Sequence, residues 1–378
     1  MVRTALEQDT TAETRTLYMA VELSSKSWKL AFSTGDGKVR TTMVSGGAVG
    51  AVLAKIAETR ERLHLPAATK VLSCYEAGRD GFWVHRALVE KGIQNVVVDA
   101  SSIEVDRRKR RAKTDRLDAT KLVQQLVRYD VRGEGLRTVR VPTPQQEDDR
   151  RPHRELERLV KERTGHLTRI RALLATQGIV VKKIRRGFGL WVESLRTPSG
   201  DPLPEGLKEE VQREAERLEL VWQQVRKIEK ERAEALKQPG SLAGKMAVML
   251  LSLKAIGPNA ATILVLEFFG WREFKNGKQV GACAGLTGTP FDSGGSDREQ
   301  GISKAGNRRI RAIMIEIAWL WLRYQPQSGL ARWYLAKFAE RGKRSRRVGI
   351  VALARKLLVA LWRFVAQGII PDGALMKA

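Results

Sequence analysis

The sequence predicts an α/β domain followed by two helical domains, and three observations support this prediction. Short apolar runs alternate with helix-like segments through the first third of the chain. Apolar residues then recur at three- and four-residue steps in a middle third dense in Glu, Arg and Lys. The last third holds further long helical patterns. Alternating strands and helices indicate a covered sheet, so we expect domains at 1–141, 142–243 and 244–378.

The first domain is predicted from short apolar strands that alternate with helices. A polar turn, Ser24–Ser27, separates the first two strands. The predicted strands are Leu17–Leu23, Trp28–Ser33, Lys70–Tyr75 and Asn95–Val98. The predicted helices are Val49–Leu63 and Gly81–Lys91, with a third that begins near Asp115 and continues to Leu126.

The middle domain is predicted as an antiparallel coiled-coil insertion of two amphipathic helices. The first helix carries apolar residues at Leu156, Leu159, Val160, Leu167, Ile170 and Leu174. The second carries them at Leu207, Val211, Leu218, Val221, Val225 and Ile228. We expect a polar linker at Pro142–Pro152 and a loop-rich hairpin at Gln177–Pro204. The pattern favours spacing and dimerisation over catalysis.

The third domain is predicted to be mainly helical. The string Leu251–Leu264 resembles a helix-hairpin-helix, although Ala255 stands where the first glycine of its turn is expected. Gly285–Lys304 is rich in Gly, Ser and Thr and is predicted as a loop. Helices are predicted at Asn307–Tyr324 and Val348–Gln367, with the basic run Arg341–Arg347 between helices.

Charge indicates a polyanionic partner. The chain has 68 Lys and Arg against 42 Asp and Glu, a formal net charge of +26. Such a field attracts nucleic acid, because each neutralised phosphate releases a counterion. The apolar stretches near the C-terminus are too short or too charged to cross a bilayer. Two cysteines without close spacing argue against disulfides and structural zinc.

Carboxylates at strand ends and at a helix start are candidate metal ligands. Glu22 and Glu76 follow two predicted strands, and Asp115 and Asp118 lie three residues apart at a helix start. A two-metal phosphoryl-transfer site needs carboxylates that converge from different elements. The arrangement therefore resembles a ribonuclease-H-like or RuvC-like nuclease core. The alternatives are that both glutamates are solvated surface groups and that Asp115 only caps its helix.

A basic run directly precedes these aspartates and is predicted to contact phosphate, with a solvated charged segment as the alternative. The predicted phosphate-binding residues there are Arg107, Arg108, Lys109, Arg110, Arg111 and Lys113.

Five strings identify a family. VELSSKSWKLAF, CYEAGRDGFW and KTDRLDATKL resemble the N-terminal domain of the DEDD insertion-sequence transposases of the IS110 family. GACAGLTGTPFDSGG and GISKAGNRRIR resemble the C-terminal domain of the same family. The strings lie at both ends of the chain in the family's order, and the helical middle resembles the family's coiled-coil insertion, so the resemblance covers nearly the whole chain.

The resemblance implies the catalytic groups. It places the acidic tetrad, which binds Mg²⁺ or Mn²⁺, on Glu22, Glu76, Asp115 and Asp118, and the serine nucleophile on Ser293. It also implies a recombinase guided by a structured noncoding RNA that pairs with donor and target DNA. The family usually has Asp where Glu22 stands. Glutamate is also a hard oxygen ligand, but its carboxylate lies one methylene farther from the backbone.

The sequence leaves alternatives open for which serine is the nucleophile and which groups assist it. Ser296 and Ser303 compete with Ser293, since serine in a Gly-rich segment is by default a turn residue. The cations expected to bind phosphate near the serine are Lys304, Arg308, Arg309 and Arg311. All four histidines precede this domain, so the sequence supplies no local histidine base.

The sequence therefore predicts a bacterial transposase that acts on double-stranded DNA with a guide RNA, in the cytoplasm near the nucleoid and without a membrane partner. We expect a homodimer that assembles to a tetramer, with carboxylates and serine forming a composite site. Two alternatives stay open. One is a RuvC-like, metal-dependent endonuclease without a covalent intermediate. The other is a non-catalytic nucleic-acid-binding protein.

Overall fold

The computed structural model describes residues 15–79, 81–103, 115–235, 242–293 and 296–377. The chain divides into two compact units, Met1–Pro142 and Thr143–Ala378. No helix among the described residues is long and apolar enough to cross a membrane.

The first unit is built on a six-stranded sheet. Its strands are β1 (Leu17–Glu22), β2 (Ser27–Ser33), β3 (Arg40–Ser45), β4 (Val71–Glu76), β5 (Gln94–Val98) and β6 (Thr138–Val139). They lie in the order β3-β2-β1-β4-β5-β6. β1, β4 and β5 run parallel to one another, and the remaining neighbours pair antiparallel. A short 3-10 turn, Ala100–Ser102, follows β5.

Helices cover both faces of this sheet. They are α1 (Val49–Arg62), α2 (Trp83–Glu90) and α3 (Asp115–Arg132). Successive strand residues point to opposite faces. In β1, Leu17, Met19 and Val21 therefore pack with α1 and α2, whereas Tyr18 and Ala20 pack with α3. Both faces are apolar, which explains why the strands read as continuous apolar runs in the sequence.

The α/β prediction for this unit is confirmed, with two strands missed. The predicted strands and helices lie within two residues of the observed bounds, except that α3 extends beyond Leu126 to Arg132. β3 was missed because its sequence, RTTMVS, is mostly polar and largely uncovered. β6 is only two residues long and has no periodicity to detect.

The second unit is mostly helical. Its helices are α4 (Pro144–Asp148), α5 (Arg151–Ala175), α6 (Phe188–Val192), α7 (Glu205–Ala235), α8 (Leu242–Ser252), α9 (Pro258–Leu264), α10 (Gly277–Cys283), α11 (Arg308–Tyr324), α12 (Gly329–Phe338) and α13 (Lys343–Gln367). A π-helical turn, Val265–Phe269, follows α9. Its strands are β7 (Gly288–Ser293) and β8 (Ser296–Ile302).

The long helices α5 and α7 pack antiparallel over two small cores. Leu156 and Leu159, near the start of α5, meet Val225 and Ile228, near the end of α7. Ile170 and Leu174, at the end of α5, instead meet the first half of α7 together with α6. The predicted antiparallel pairing is thus present, while coiled-coil packing of the pair stays a prediction.

The C-terminal part of this unit has one large core. It contains residues of α8 to α11 and of α13, with Phe268 and Trp321 among its largest fully buried side chains. α13 forms much of this core, and α10, α11 and α12 all contact it.

Three sequence predictions for this unit are wrong. Gly285–Lys304 was expected to be a loop, but most of it forms the β7–β8 hairpin, whose polar strands lack the apolar alternation that marks strands. The basic run Arg341–Arg347 does not lie between helices, because α13 begins at Lys343 and Lys and Arg are good helix formers. The linker at Pro142–Pro152 contains α4, which Thr143 begins with a capping box.

Candidate functional site

Glu22 and Glu76 lie side by side at one edge of the sheet. β1 and β4 are adjacent and parallel, and their register pairs Val21 with Tyr75, so the two glutamates come next on both strands. Neighbouring strands lie about 4.8 Å apart. Both carboxylates line the same small cleft of about 310 Å³, together with Gly78 and Arg79. Glu22 is half-buried and Glu76 is exposed.

The strand alternation places both glutamates on the face that α3 covers. In β4, Leu72 and Cys74 pack against α3, and Glu76 continues the same two-residue step. In α3, Ala119 and Leu122 are buried against that face. Asp118 directly precedes Ala119 and is half-buried. The sequence therefore folds so that Glu22 and Glu76 lie on the sheet face that α3 covers, while Asp118 lies on α3 itself.

The fourth predicted ligand begins the same helix. Asp115 is the first residue of α3, one turn before Ala119, and its side chain lies outside the described part. Among the side chains that are described, no three His, Cys, Asp or Glu residues lie close enough together to hold a metal ion. Carboxylate oxygens of the kind at Glu22 and Glu76 are what Mg²⁺ and Mn²⁺ prefer. The donor chemistry fits such an ion.

A hydrogen bond fixes α3 on the sheet. The hydroxyl of Tyr18 in β1 donates to Oδ2 of Asp130 in α3, with an O–O distance of 2.9 Å. Burial and this hydrogen bond to a carboxylate raise the pKa of Tyr18 to about 12. Burial likewise raises the pKa of the Cys74 thiol, beneath the same helix. This packing anchors the helix that carries Asp115 and Asp118.

Ser293 lies at the end of a hairpin strand. It is the last residue of β7, and the strand register pairs it with Ser296, the first residue of β8. Only Gly294 and Gly295 separate the two serines in the sequence, and a Gly-Gly pair is a recognised two-residue hairpin connection. The backbone of Ser293 is described, whereas its side chain and that of Ser296 lie outside the described part.

The base of the hairpin joins the two C-terminal family strings. The amide of Ser303 donates to the carbonyl oxygen of Thr287 at 2.9 Å, and the amide of Asn307 donates to that of Cys283 at 2.9 Å. Gly306 adopts a φ of +113°, and a Cβ there would lie 2.3 Å from the carbonyl oxygen of Cys283. Only glycine fits so close an approach, which gives a physical reason for this glycine in the string.

A buried carboxylate that the sequence did not indicate holds this region to α5. Glu267, in the π-helical turn, is 1% exposed. Its Oε1 lies 2.7 Å from Nε2 of His153, and Arg154 donates to both carboxylate oxygens at 2.7 and 2.9 Å. Asn307, which caps α11, also approaches Glu267 at 3.4 Å. The only signal in the sequence was a Glu within the apolar string LVLEFFG.

Burial and the neighbouring groups have opposing effects on the pKa of this carboxylate, and the balance determines its charge. Burial, the largest single influence, acts to raise the pKa of Glu267. The hydrogen bonds from His153 and Arg154 and the charge of Arg154 together outweigh burial and hold the pKa well below its ordinary value. Glu267 is therefore a buried anion at neutral pH. The buried Nδ1 of His153 has no hydrogen-bond partner among the described atoms.

The predicted phosphate-binding cations have different surroundings. Lys304 is exposed with a left-handed φ of +55°, and Arg308 is exposed at the start of α11. Arg309 forms an ion pair with Glu157 at 2.7 Å, and Arg311 donates to the carbonyl oxygen of Ala284 at 3.1 Å. The other predicted set, Arg107, Arg108, Lys109, Arg110, Arg111 and Lys113, lies outside the described residues.

Comparison with known proteins defines the class. Residues 247–334, which include the hairpin, match a family model described as the transposase IS116/IS110/IS902 family. The chain is also similar to a putative transposase, y4rJ, of Sinorhizobium fredii. The two are 42% identical over 380 residues, which cover 96% of this chain and 94% of that protein. The chain therefore belongs to the IS116/IS110/IS902 family of transposases.

Two relatives of lower sequence identity are also transposases. The transposase for insertion sequence element IS1328 of Yersinia enterocolitica is 27% identical over 231 residues, covering 60% of this chain and 66% of that protein. A probable family 20 transposase of Pseudomonas aeruginosa is 26% identical over 235 residues, covering 61% of this chain and 67% of that protein. The family resemblance expected from the five strings is thus confirmed.

Proposed function

We propose that this protein cuts and rejoins double-stranded DNA as an insertion-sequence transposase with a RuvC-like N-terminal domain. The observation that carries the proposal is the register match of Glu22 and Glu76, on the sheet face covered by the helix that Asp115 begins. Carboxylates at the ends of adjacent parallel strands are what a metal-dependent phosphoryl-transfer site needs.

In this proposal Glu22, Glu76, Asp115 and Asp118 hold Mg²⁺ or Mn²⁺. When bound, the metal supplies electrophilic stabilisation of the phosphate that is transferred. The carboxylates orient that site, and Glu22 reaches one methylene farther than the Asp usual in the family. Tyr18 and the α3 packing hold the two aspartates in place.

Ser293 is the proposed nucleophile. Its hydroxyl oxygen forms a bond to a DNA phosphorus, the phosphorus–oxygen bond to the neighbouring nucleotide breaks, and the serine proton passes to a general base. The leaving oxygen takes up a proton. A hydroxyl of the incoming strand then attacks the same phosphorus and releases the serine. The phosphoester bond energy is conserved, so no external energy source is needed for exchange.

The remaining partners come from the family resemblance. We propose that a structured noncoding RNA from the element pairs with donor and target DNA, and that homodimers assemble to a tetramer. Support for nucleic-acid partners comes from the net charge of +26.

A covalent-adduct assay tests the nucleophile. Wild-type protein incubated with guide RNA, target DNA and Mg²⁺ should yield a protein–DNA adduct that survives denaturation. Ser293→Ala should abolish the adduct and recombination, whereas Ser296→Ala, one step across the hairpin, should retain both. An adduct that depends on Ser296 would reassign the nucleophile. Strand cleavage without any adduct would favour a metal-dependent endonuclease.

Conservative amides test the metal ligands. Asp115→Asn and Asp118→Asn each keep the side-chain volume but weaken a hard anionic ligand. Both should lower cleavage by at least about a hundredfold, the scale of losing an important electrostatic group, while DNA binding measured in chelator is unchanged. Cleavage that persists in chelator would contradict the metal assignment.

A further inference from the structure

A long groove of about 1300 Å³ in the second unit is lined by cations and aliphatic residues. One wall is α13, which contributes Lys343, Arg344, Arg347, Arg355, Lys356 and Arg363. Lys278 of α10 and Lys304 at the base of the hairpin line it too. None of the lining residues that the structure describes is acidic. The groove is therefore a strongly positive surface, and it combines Lys304, which the sequence already indicated as a phosphate-binding cation, with cations along α13.

The α13 cations form a stripe along the helix. Lys343, Arg347, Arg355 and Arg363 are separated by multiples of four residues, and Val351 and Val359 occupy the steps between them. Successive residues at this spacing are neighbours on the helix surface, in a row that winds gradually around the helix, and twenty residues span roughly 30 Å. The stripe is thus long enough to follow about nine base-pair steps of a duplex, at about 3.4 Å per step.

The groove cations have no acidic partner among the side chains that the structure describes. Within the described part of the chain, none of the groove's Lys or Arg side chains lies within 4.0 Å of a carboxylate. On the helix pair, by contrast, Arg169 and Arg217 both pair with Glu214. The side chain of Arg355 lies close to α10, since a Cβ on Gly281 would lie 3.1 Å from its Nε.

The chemistry of the lining favours the backbone of a nucleic acid over its bases. In the described part of the chain, every lining residue is Gly, Ala, Val, Leu, Ile, Lys or Arg. Single strands are typically bound by stacking bases on aromatic side chains, and RNA is often read through aromatic and neutral hydrogen-bonding groups. The described lining of the groove offers neither kind of group. Phosphate contacts by Lys and Arg need no such groups and carry no sequence information.

We propose that this groove binds the phosphodiester backbone of duplex DNA without sequence preference. This inference rests on the proposed function, because the groove wall includes Gly288, Gly301 and Ile302, the ends of the hairpin strands that carry Ser293. A duplex held there lies along the base of the hairpin. The aliphatic floor packs against sugars, and the stripe on α13 holds the phosphates.

Charge removal from the groove tests the proposal. The full-length variant Arg347→Ala/Arg355→Ala/Arg363→Ala is titrated with a labelled DNA duplex in chelator, so that binding is measured apart from cleavage. Kd should rise at least about tenfold. The slope of log K against log salt should become less steep by roughly 2 to 3, at about 0.9 per lost phosphate contact. Two unrelated duplex sequences should bind equally.

A matched control variant distinguishes the effect of the groove cations on DNA binding from the effect of a lower net charge. Lys182→Ala/Lys183→Ala/Arg185→Ala removes the same charge from exposed residues after α5 and should change Kd by less than about twofold. The variant Arg347→Lys/Arg355→Lys/Arg363→Lys keeps the charge and should bind within about threefold of wild type, which guards against misfolding of the alanine variant.

Equal losses of DNA binding in the groove and control variants would overturn the proposal, and so would loss of DNA binding in the charge-retaining variant. The alanine variant of the groove is also titrated with an RNA duplex. Loss of RNA-duplex binding with DNA binding intact would likewise overturn the proposal. Adduct formation is measured separately. Groove-dependent DNA binding without any Ser293 adduct would support the groove and reject the nucleophile.

Discussion

Ala255 occupies a backbone conformation that normally requires glycine. It lies between α8 and α9 with a φ of +78°. The sequence already indicated that a helix-hairpin-helix turn would have glycine here, and the observed angle is what such a turn demands. A left-handed conformation at a residue with a Cβ costs about 1 kcal/mol or more. The chain therefore retains strain at this turn.

Ala255→Gly should raise the stability of the protein. Relief of the left-handed strain outweighs the greater flexibility that glycine gives the unfolded chain, for a net gain of about 0.5 to 1 kcal/mol. The thermal unfolding midpoint should rise by about 1 to 3 °C. Ala312→Gly, an exposed site inside α11, is the control and should lower the midpoint, because glycine within a helix costs about 1 kcal/mol. A lower midpoint for Ala255→Gly would contradict the strain argument.

Glu267 is a buried charge that holds the start of α5 to the π-helical turn. Glu267→Gln keeps the shape but leaves Arg154 without its anionic partner, and His153 loses a strong acceptor. Breaking a buried pair costs about 3 to 5 kcal/mol, and the 38% exposure of Arg154 reduces this to about 2 to 3. Chemical denaturation measures the loss. Glu157→Gln, which removes the exposed partner of Arg309, should cost less than about 1 kcal/mol.

The cost of Glu267→Gln should depend on pH. The pKa of Glu267 is lower in the folded than in the unfolded protein, so its charge stabilises the fold above the ordinary pKa of 4.5. That stabilisation is lost progressively as the pH falls from there toward the folded-state pKa. The stability difference between wild type and Glu267→Gln should therefore be largest near pH 7 and shrink below about pH 4.5. A constant difference from pH 7 to pH 3 would reject the ionised carboxylate.

At the scale of elements, α12 and α13 approach each other closely at a glycine. A Cβ on Gly349 of α13 would lie 2.5 Å from Cγ of Phe338 at the end of α12. Gly349→Ala should therefore destabilise the unit by about 1 to 3 kcal/mol through overpacking, seen as a lower thermal midpoint. Gly165→Ala, in α5 with open space around it, should instead stabilise by about 0.5 to 1 kcal/mol.

A double variant identifies the contact. If the ring of Phe338 causes the clash, Gly349→Ala combined with Phe338→Ala should be more stable than the sum of the two single effects, since contacting residues are not additive. Strict additivity would place the cause elsewhere in α13.

Elements with a continuous apolar run or a regular helical repeat of apolar residues were predictable from the sequence, and the others were not. β1, β4 and α1 carry continuous apolar runs or clear helical steps, so their bounds were close, and the same kind of step revealed the two long helices α5 and α7. The β7–β8 hairpin has neither signal. It is held by backbone pairing and by contacts of Ser303 and Asn307 with a preceding segment, which local patterns do not encode.

The residues of the candidate site likewise divide into those that were predictable from the sequence and those that were not. Glu22 and Glu76 were found because each follows a strand, and the parallel register then brings them together. The contact of His153 with Glu267 spans 114 residues and depends on how α5 packs. The sequence therefore placed all four histidines away from the C-terminal segment, although His153 contacts it. The basic groove was anticipated only in part: Lys304 and the run Arg341–Arg347 stood out in the sequence, whereas Arg355 and Arg363 lie eight and sixteen residues after Arg347 among apolar residues.

At the scale of the whole molecule, the charge of +26 is unevenly compensated. Carboxylates pair with many cations on α5 and α7, whereas the groove cations on α13 form no ion pair among the described side chains. Electrostatic attraction to DNA should therefore come from a limited set of side chains, and the number of phosphates neutralised should be far smaller than the net charge.

The salt dependence of wild-type binding measures that number. If the α13 groove supplies most contacts, roughly 6 to 8 phosphates are neutralised, and log K should fall against log salt with a slope of about −5 to −7. Kd should then weaken by about a thousandfold or more between 50 and 200 mM salt. Anisotropy titrations at several salt concentrations in chelator give the slope. A slope near −2 would mean that the groove does not hold DNA. A slope steeper than about −12 would mean that cations along the whole chain contribute and that the groove is not the main surface.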